Sequence, residues 1–178
     1  ELVCSTVDHR AMQTALVIMV FCGSLIHATG FDTPMIGPDI ERTRQLESHL
    51  TEPDQNWIGI GKKLGELFGG SDVVIATTAA GAIPYFSKLQ TIDMFGLNDP
   101  WVARNGAIVS SRPGHQRATT LKYLIDRKVT IIIGHPRVRP IGQATPPSCS
   151  FGSFFILDAK PEYYGEIPQN FRIIEIPI

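Results

Sequence analysis

The sequence predicts an α/β domain, a mixed sheet with packed helices, preceded by one N-terminal transmembrane helix. Three observations carry this. Residues 11–31, "AMQTALVIMVFCGSLIHATGF", contain no Asp, Glu, Lys or Arg. Two β-branched runs, "DVVIATT" and "VTIIIG", are short and bounded by turn residues. Around them, "NWIGIGKKLGELFGG" and "RATTLKYLIDRK" repeat apolar residues at helical spacing.

The apolar run comes first. At ~1.5 Å per residue, about 20 residues reach across a ~30 Å hydrocarbon core. Gln13, Thr14 and Ser24 do not form the polar face that a buried amphipathic helix would show. A cleaved signal peptide is the other reading. Ala11, Ala15, Gly23 and Ser24 are small enough to let a second membrane helix pack closely. Arg10 on one side, with Arg42 and Arg44 on the other, leaves the orientation open. The chain thus divides into a short N-terminus (1–10), the span (11–31), a linker with a short helix (32–55) and the α/β domain (56–178).

Composition narrows the function classes. Among 178 residues, 43% are hydrophobic and 19% charged, and the net charge is −1. Such a chain has no strong field for nucleic acid, and no Lys/Arg run is interleaved with aromatics. Cys22 falls in the span, and Cys4 and Cys149 fall on opposite sides of it. No intrachain disulfide and no zinc spacing are therefore expected.

The elements follow in order. Pro34, Gly37 and Pro38 make a stiff exit from the span. Asp39 caps a short polar helix, "IERTRQLESHL", which Pro53 ends. Asn56 caps the next helix, with Trp57, Ile60, Leu64, Leu67 and Phe68 on its inner face and Gly69-Gly70 as its stop. Its internal glycines lower intrinsic propensity, so packing must hold it. "DVVIATT" is a buried strand and "LQTIDMF" a second. Asp99 caps a one-turn helix that opens with Pro100, and "RPGHQ" is a turn. Leu121, Leu124 and Ile125 form the inner face of the next helix. "VTIIIG" reads as the central strand. "SFFILDA" and "FRIIEIPI" are two late strands.

The residues able to do chemistry are Asp93, Asn98, Asp99, His115 and His135. Two carboxylates and a histidine can make an acid–base pair, or a divalent-metal set of Asp93, Asp99 and His115. The same residues also read as a structural corner: Gly81, Asp93, Asn98, Asp99, Pro113, Gly114 and His115. In that reading Gly81 makes a turn with no room for a Cβ, Asp93 accepts backbone N–H groups, Asp99 caps a helix and His115 bonds within its turn. No GxSxG, HExxH, CxxC, GxGxxG or GxxxxGK[ST] pattern occurs. No catalytic residue, metal or cofactor is assigned. His27, near the end of the span, is a candidate pigment ligand, set against a capping or interfacial role. Trp101 is a sugar platform or a packing residue.

The runs "GAIPYFS" (81–87), "IDMFGLND" (92–99), "VAR" (102–104) and "PGH" (113–115), with the strand ending at Pro136, carry a resemblance. The region 56–136 resembles the C-terminal extracytoplasmic domain of GT-C type membrane glycosyltransferases, in particular the arabinofuranosyltransferase-like group. The resemblance implies that residues after Gly30 face the periplasm, placing the chain in a bacterial inner membrane as a single-pass protein. It also implies that the chemistry belongs to a polytopic membrane half. With one span only, the expected function is that of a non-catalytic, periplasmic accessory or stabilising subunit of a larger membrane complex, for instance a photosynthetic or respiratory one. Its partners would be other membrane subunits and the lipid bilayer. The alternative is a fragment or relative of a cell-envelope glycosyltransferase whose outer domain binds acceptor glycan, and Glu1 in place of Met favours truncation.

Overall fold

In a computed structural model of the chain, residues 9–29, 43–111, 113–140, 172, 174 and 176–178 are described. They fall into two units, Glu1–Glu47 and Ser48–Ile178.

The first unit contains helix α1, His9–Thr29. It starts two residues before the expected span and ends two residues earlier. Its apolar side chains are exposed: Val17, Met19 and Phe21 each show about two-thirds of their surface. A 19-residue stretch of it, His9–His27, is long and apolar enough to cross a membrane. Helix α2, Thr43–Thr51, follows and stops before Pro53. Asp39, its expected cap, lies outside the described residues.

In the second unit, α3 runs Trp57–Phe68. Asn56 adopts a left-handed conformation (φ 40°), and its side-chain oxygen accepts from Gly59 N at 3.0 Å. Then come β1 (Val74–Thr77), α4 (Ala82–Ser87), β2 (Gln90–Asp93), α5 (Pro100–Asn105), β3 (Ala107–Ile108), β4 (Arg117–Ala118), α6 (Leu121–Asp126) and β5 (Ile131–Gly134). The α/β class is borne out. Parallel and antiparallel pairing both occur, but in separate sheets: β2-β1-β5 is wholly parallel, and β3-β4 is a small antiparallel pair.

The strand order corrects one expectation. Among the described strands β1, not the more β-branched β5, is central, and all four of its residues are buried. Ile131, Ile132 and Ile133 are only partly buried. A strand read from composition alone has no address in the sheet, because hydrophobicity reports burial by any neighbour. "SFFILDA" lies outside the described residues. In the final run, the described residues Arg172, Ile174 and 176–178 include no strand.

Alternation along β1 sends side chains to opposite faces. Val74 and Ala76 join Ile92, Met94, Val102 and Leu124 beneath α5 and α6. Ile75 joins Ile60, Leu64, Ile83 and Leu89 beneath α3 and α4. Helices therefore cover both faces. Full burial of Ile75 and of Ile83 contributes about 2 kcal/mol each. Leu67 and Ile125, expected on inner faces, are about half exposed (49% and 52%). In α6 the inner position goes to Tyr123, whose hydroxyl has a polar partner inside.

The glycines of α3 explain how a helix of modest propensity persists. A Cβ on Gly61 would lie 2.9 Å from Phe86 Cβ and 3.0 Å from the Ile83 carbonyl oxygen. One on Gly65 would lie 3.1 Å from the Ser87 carbonyl oxygen. Four residues apart, the two glycines form a trough in which α4 lies. Gly81 behaves otherwise. Its φ is −96°, and a Cβ there would meet nothing within 4 Å. The expected steric need for glycine at 81 is thus overturned: the space a Cβ would fill is open. Gly61→Ala should destabilise the domain by about 1–3 kcal/mol through overpacking. Gly81→Ala should change stability by under ~1 kcal/mol, as its φ is negative and its space open. Urea titrations of the two variants side by side check the contrast.

Candidate functional site

The predicted site residues gather at the carboxyl end of β2. Asp93, the last residue of that strand, is buried. Its Oδ1 accepts from Phe95 N at 2.9 Å and its Oδ2 from Asn98 N at 2.7 Å. Its carbonyl accepts from Gly96 N at 3.3 Å. One carboxylate therefore folds the loop "MFGLN" around itself, an Asx-type arrangement extended to a second N–H. Met94 continues the pairing briefly, donating to Thr77 O and accepting from Thr119 N. The tight return at Gly96 has φ +78°, and a Cβ there would lie 2.6 Å from Ala103 N. This is where the corner requires glycine.

Asp99 caps α5 as expected. Its Oδ1 accepts from Trp101 N (2.9 Å) and Val102 N (3.0 Å), with Pro100 at the first helical position. It has a further partner that local sequence does not reveal. The Tyr123 hydroxyl donates to Asp99 Oδ2 at 3.0 Å, and Arg127 Nη1 donates to the same hydroxyl oxygen at 2.8 Å. Trp101 stacks on the Tyr123 ring, with centroids 4.0 Å apart and planes 4° from parallel. Trp101 is 40% exposed, so packing occupies one of its faces.

The hydroxyl proton of Tyr123 is held more tightly than usual. Burial is the main cause; the hydrogen bond to Asp99 and that residue's charge add to it, and Arg127 opposes both. The unfolded chain gives up this proton near pH 10, and the folded chain gives it up only higher. Above about pH 10 the unfolded state binds fewer protons, so stability falls as pH rises through the raised folded value. Below about pH 10 the contribution is complete. Denaturant titrations at pH ~8 and ~11 should show this alkaline loss, and Tyr123→Phe should reduce it relative to the parent.

His115 sits in the expected turn after Gly114, whose φ is +75°. Its Nδ1 lies 3.2 Å from Pro113 O, and its ring is 4.7 Å from that of Phe95. It thus packs on the loop that Asp93 folds. Asn98 contributes its backbone N–H and has an exposed side chain. Among the described residues, no three His, Cys, Asp or Glu side chains converge as a metal set. His27 is exposed in the last turn of α1, and Ala11, Ala15, Gly23 and Ser24 are exposed on the same helix.

A parallel sheet offers another place to look. Ligands of open α/β sheets bind beyond the strand carboxyl ends, where the strand order reverses. Here that point lies between β1 and β5. Thr78 N (2.9 Å), Thr77 Oγ1 (3.2 Å) and Thr78 Oγ1 (3.2 Å) all donate to Gly134 O, which stitches the two strand ends together. His135 Nδ1 is 3.4 Å from Thr78 Oγ1, and the His135 ring meets Trp57 edge-on at 5.9 Å. Trp57 also stacks on His49, with centroids 4.7 Å apart. Sequence reasoning named His135 without this setting, because strand order cannot be read from spacing.

A family model described as a domain of unknown function, DUF8728, matches residues 43–175, well over half of the chain. The chain belongs to the DUF8728 family. The DUF8728 match begins at the first residue of α2 and takes in the sheet, both helical layers and the Asp93–Asp99 corner. α1 lies before it. No curated protein and no solved structure matches the chain.

Proposed function

We propose that this DUF8728 chain is a membrane-anchored, non-catalytic α/β domain that serves as an accessory subunit of a larger membrane assembly, with the domain on the periplasmic side of a bacterial inner membrane. The observation carrying this is α1: its described apolar side chains are exposed to a degree that water does not favour and that lipid or other membrane helices would accommodate. The fate of the acids supports the non-catalytic part. Asp93 and Asp99 spend their carboxylate oxygens on backbone N–H groups and a tyrosine. A general acid or base needs an oxygen within reach of substrate.

The anchoring is tested by expressing the full chain in a bacterium and extracting membranes with alkaline carbonate. The protein should stay in the pellet and be released only by detergent; recovery in the carbonate supernatant sinks the reading. Sidedness is read from Lys122→Cys in a cysteine-free background, since Lys122 is 82% exposed. A membrane-impermeant maleimide should label it in intact spheroplasts.

A second reading is favoured by one observation. The runs that resemble GT-C type glycosyltransferase outer domains, 81–87 and 92–99, build α4 and the corner where glycine and carboxylates are structurally required. On this reading the domain holds acceptor glycan for a membrane glycosyltransferase. Arabinofuranose oligosaccharides titrated against the detergent-solubilised chain should then shift its amide resonances, and an unchanged spectrum removes this reading.

A further inference from the structure

The outward side of the α3–α4 layer differs chemically from the rest of the domain. Residues 73–92 contain one charged side chain, Lys88. It follows α4 in a left-handed conformation (φ 58°), where glycine would be unstrained. Its ammonium lies 4.1 Å from the centroid of the Tyr85 ring. Tyr85 is 65% exposed and meets Phe86 edge-on at 5.0 Å. From α3, the Lys62 ammonium lies 5.6 Å from the Phe86 centroid. Lys63 is paired with Glu66, the only acid of α3. Lys62 and Lys88 thus rest on aromatic rings, and neither has a carboxylate partner among the described residues. On α6, by contrast, Lys122 pairs with Asp126 at 2.7 Å.

We infer that this patch, Lys62, Tyr85, Phe86 and Lys88, is a docking surface for an anionic lipid bilayer. The inference rests on the membrane-anchored reading above. Aromatic rings carrying a polar tip favour the bilayer interface, and lysines reach from apolar surroundings to headgroup phosphates along their flexible stems. An anionic surface supplies the charge that the two lysines lack within the protein. Each cation holds its place over a ring, so the patch is partly ordered before it binds. A chain tethered by its own span meets that surface at high effective concentration, so a small patch suffices. An acidic protein would satisfy the lysines but would leave exposed Tyr85 without its preferred setting.

The test uses the full chain in nanodiscs of phosphatidylcholine alone or mixed with phosphatidylglycerol. Amine-reactive labelling is followed residue by residue. Lys62 and Lys88 should label several-fold more slowly in the anionic discs, Lys122 should label equally in both, and high salt should abolish the difference. Hydrogen exchange in α4 should slow in the same discs, and Lys62→Glu/Lys88→Glu should remove that slowing. Equal labelling of Lys62 and Lys88 in both discs overturns the inference, as does a slowing that Lys122 shares. Protection that appears only when an acidic protein is added also overturns it and assigns the patch to that protein. A chain that fails to enter any disc sinks the anchoring reading, and the inference with it, because the patch acts through that tether; equal labelling in discs that the chain does enter overturns the inference alone.

Discussion

Asp99→Ala should lower the unfolding free energy by roughly 3 kcal/mol, a large share of the ~5–15 kcal/mol that separates folded from unfolded domains. The substitution removes a helix cap, worth about 1 kcal/mol. It also leaves the N–H groups of Trp101 and Val102 and the hydroxyl of Tyr123 without their acceptor. An orphaned buried donor costs about 1–3 kcal/mol. Arg127 cannot compensate, because it is a donor only. Asp99→Asn keeps an acceptor oxygen and should cost less than Ala. Denaturant melts of the two variants give the order. Equal and small losses would show that Tyr123 finds another acceptor and that the capping bonds are dispensable.

Gly96→Val should cost about 3 kcal/mol or more. The residue sits at φ +78°, and its Cβ would lie 2.6 Å from a backbone nitrogen of α5. A β-branched side chain is a poor occupant of the left-handed region, and backbone atoms cannot rotate away as a side-chain tip can. Relief would require α5 to shift, and α5 is pinned through Asp99 to Tyr123. The detergent-solubilised variant should melt well below the parent, as circular dichroism would show. A near-native melt would mean that the corner is looser than these distances imply.

Local chemistry was legible in the sequence, and long-range pairing was not. The Asn56 and Asp99 caps, Pro100 at the first turn, the Gly69-Gly70 stop and the strands around residues 74–77 and 90–93 follow from short-range rules and stand as expected. Asp93 was readable as a backbone acceptor because it closes a strand. The Tyr123–Asp99 bond joins residues 24 apart, and no periodicity links them. Placing Ile125 on the inner face of α6 was therefore an error of packing: hydrophobicity ranked it inward, while the buried hydroxyl bond drew Tyr123 in. Gly81 was misjudged, and Gly96 passed over, for a related reason. Gly81 looks like a corner because it follows a strand, yet its surroundings are open. Gly96 looks like one residue of a run, yet its neighbour is the backbone of the next helix. A glycine's need is set by what lies opposite, and spacing does not record that.

The β2-β1-β5 order has a consequence for the birth of the molecule. As the chain leaves the ribosome, β1 can pair with β2 once the short α4 has emerged. Its other edge must wait for β5: Val74 N bonds Thr130 Oγ1, 56 residues further on. Until then a buried central strand has one bare edge, the feature that draws chains into wrongly paired aggregates. The α3–α4 layer can cover the hydrophobic face during this interval, because both helices are synthesised before residue 90. Vectorial synthesis thus shields the face of the nascent strand well before it closes the edge.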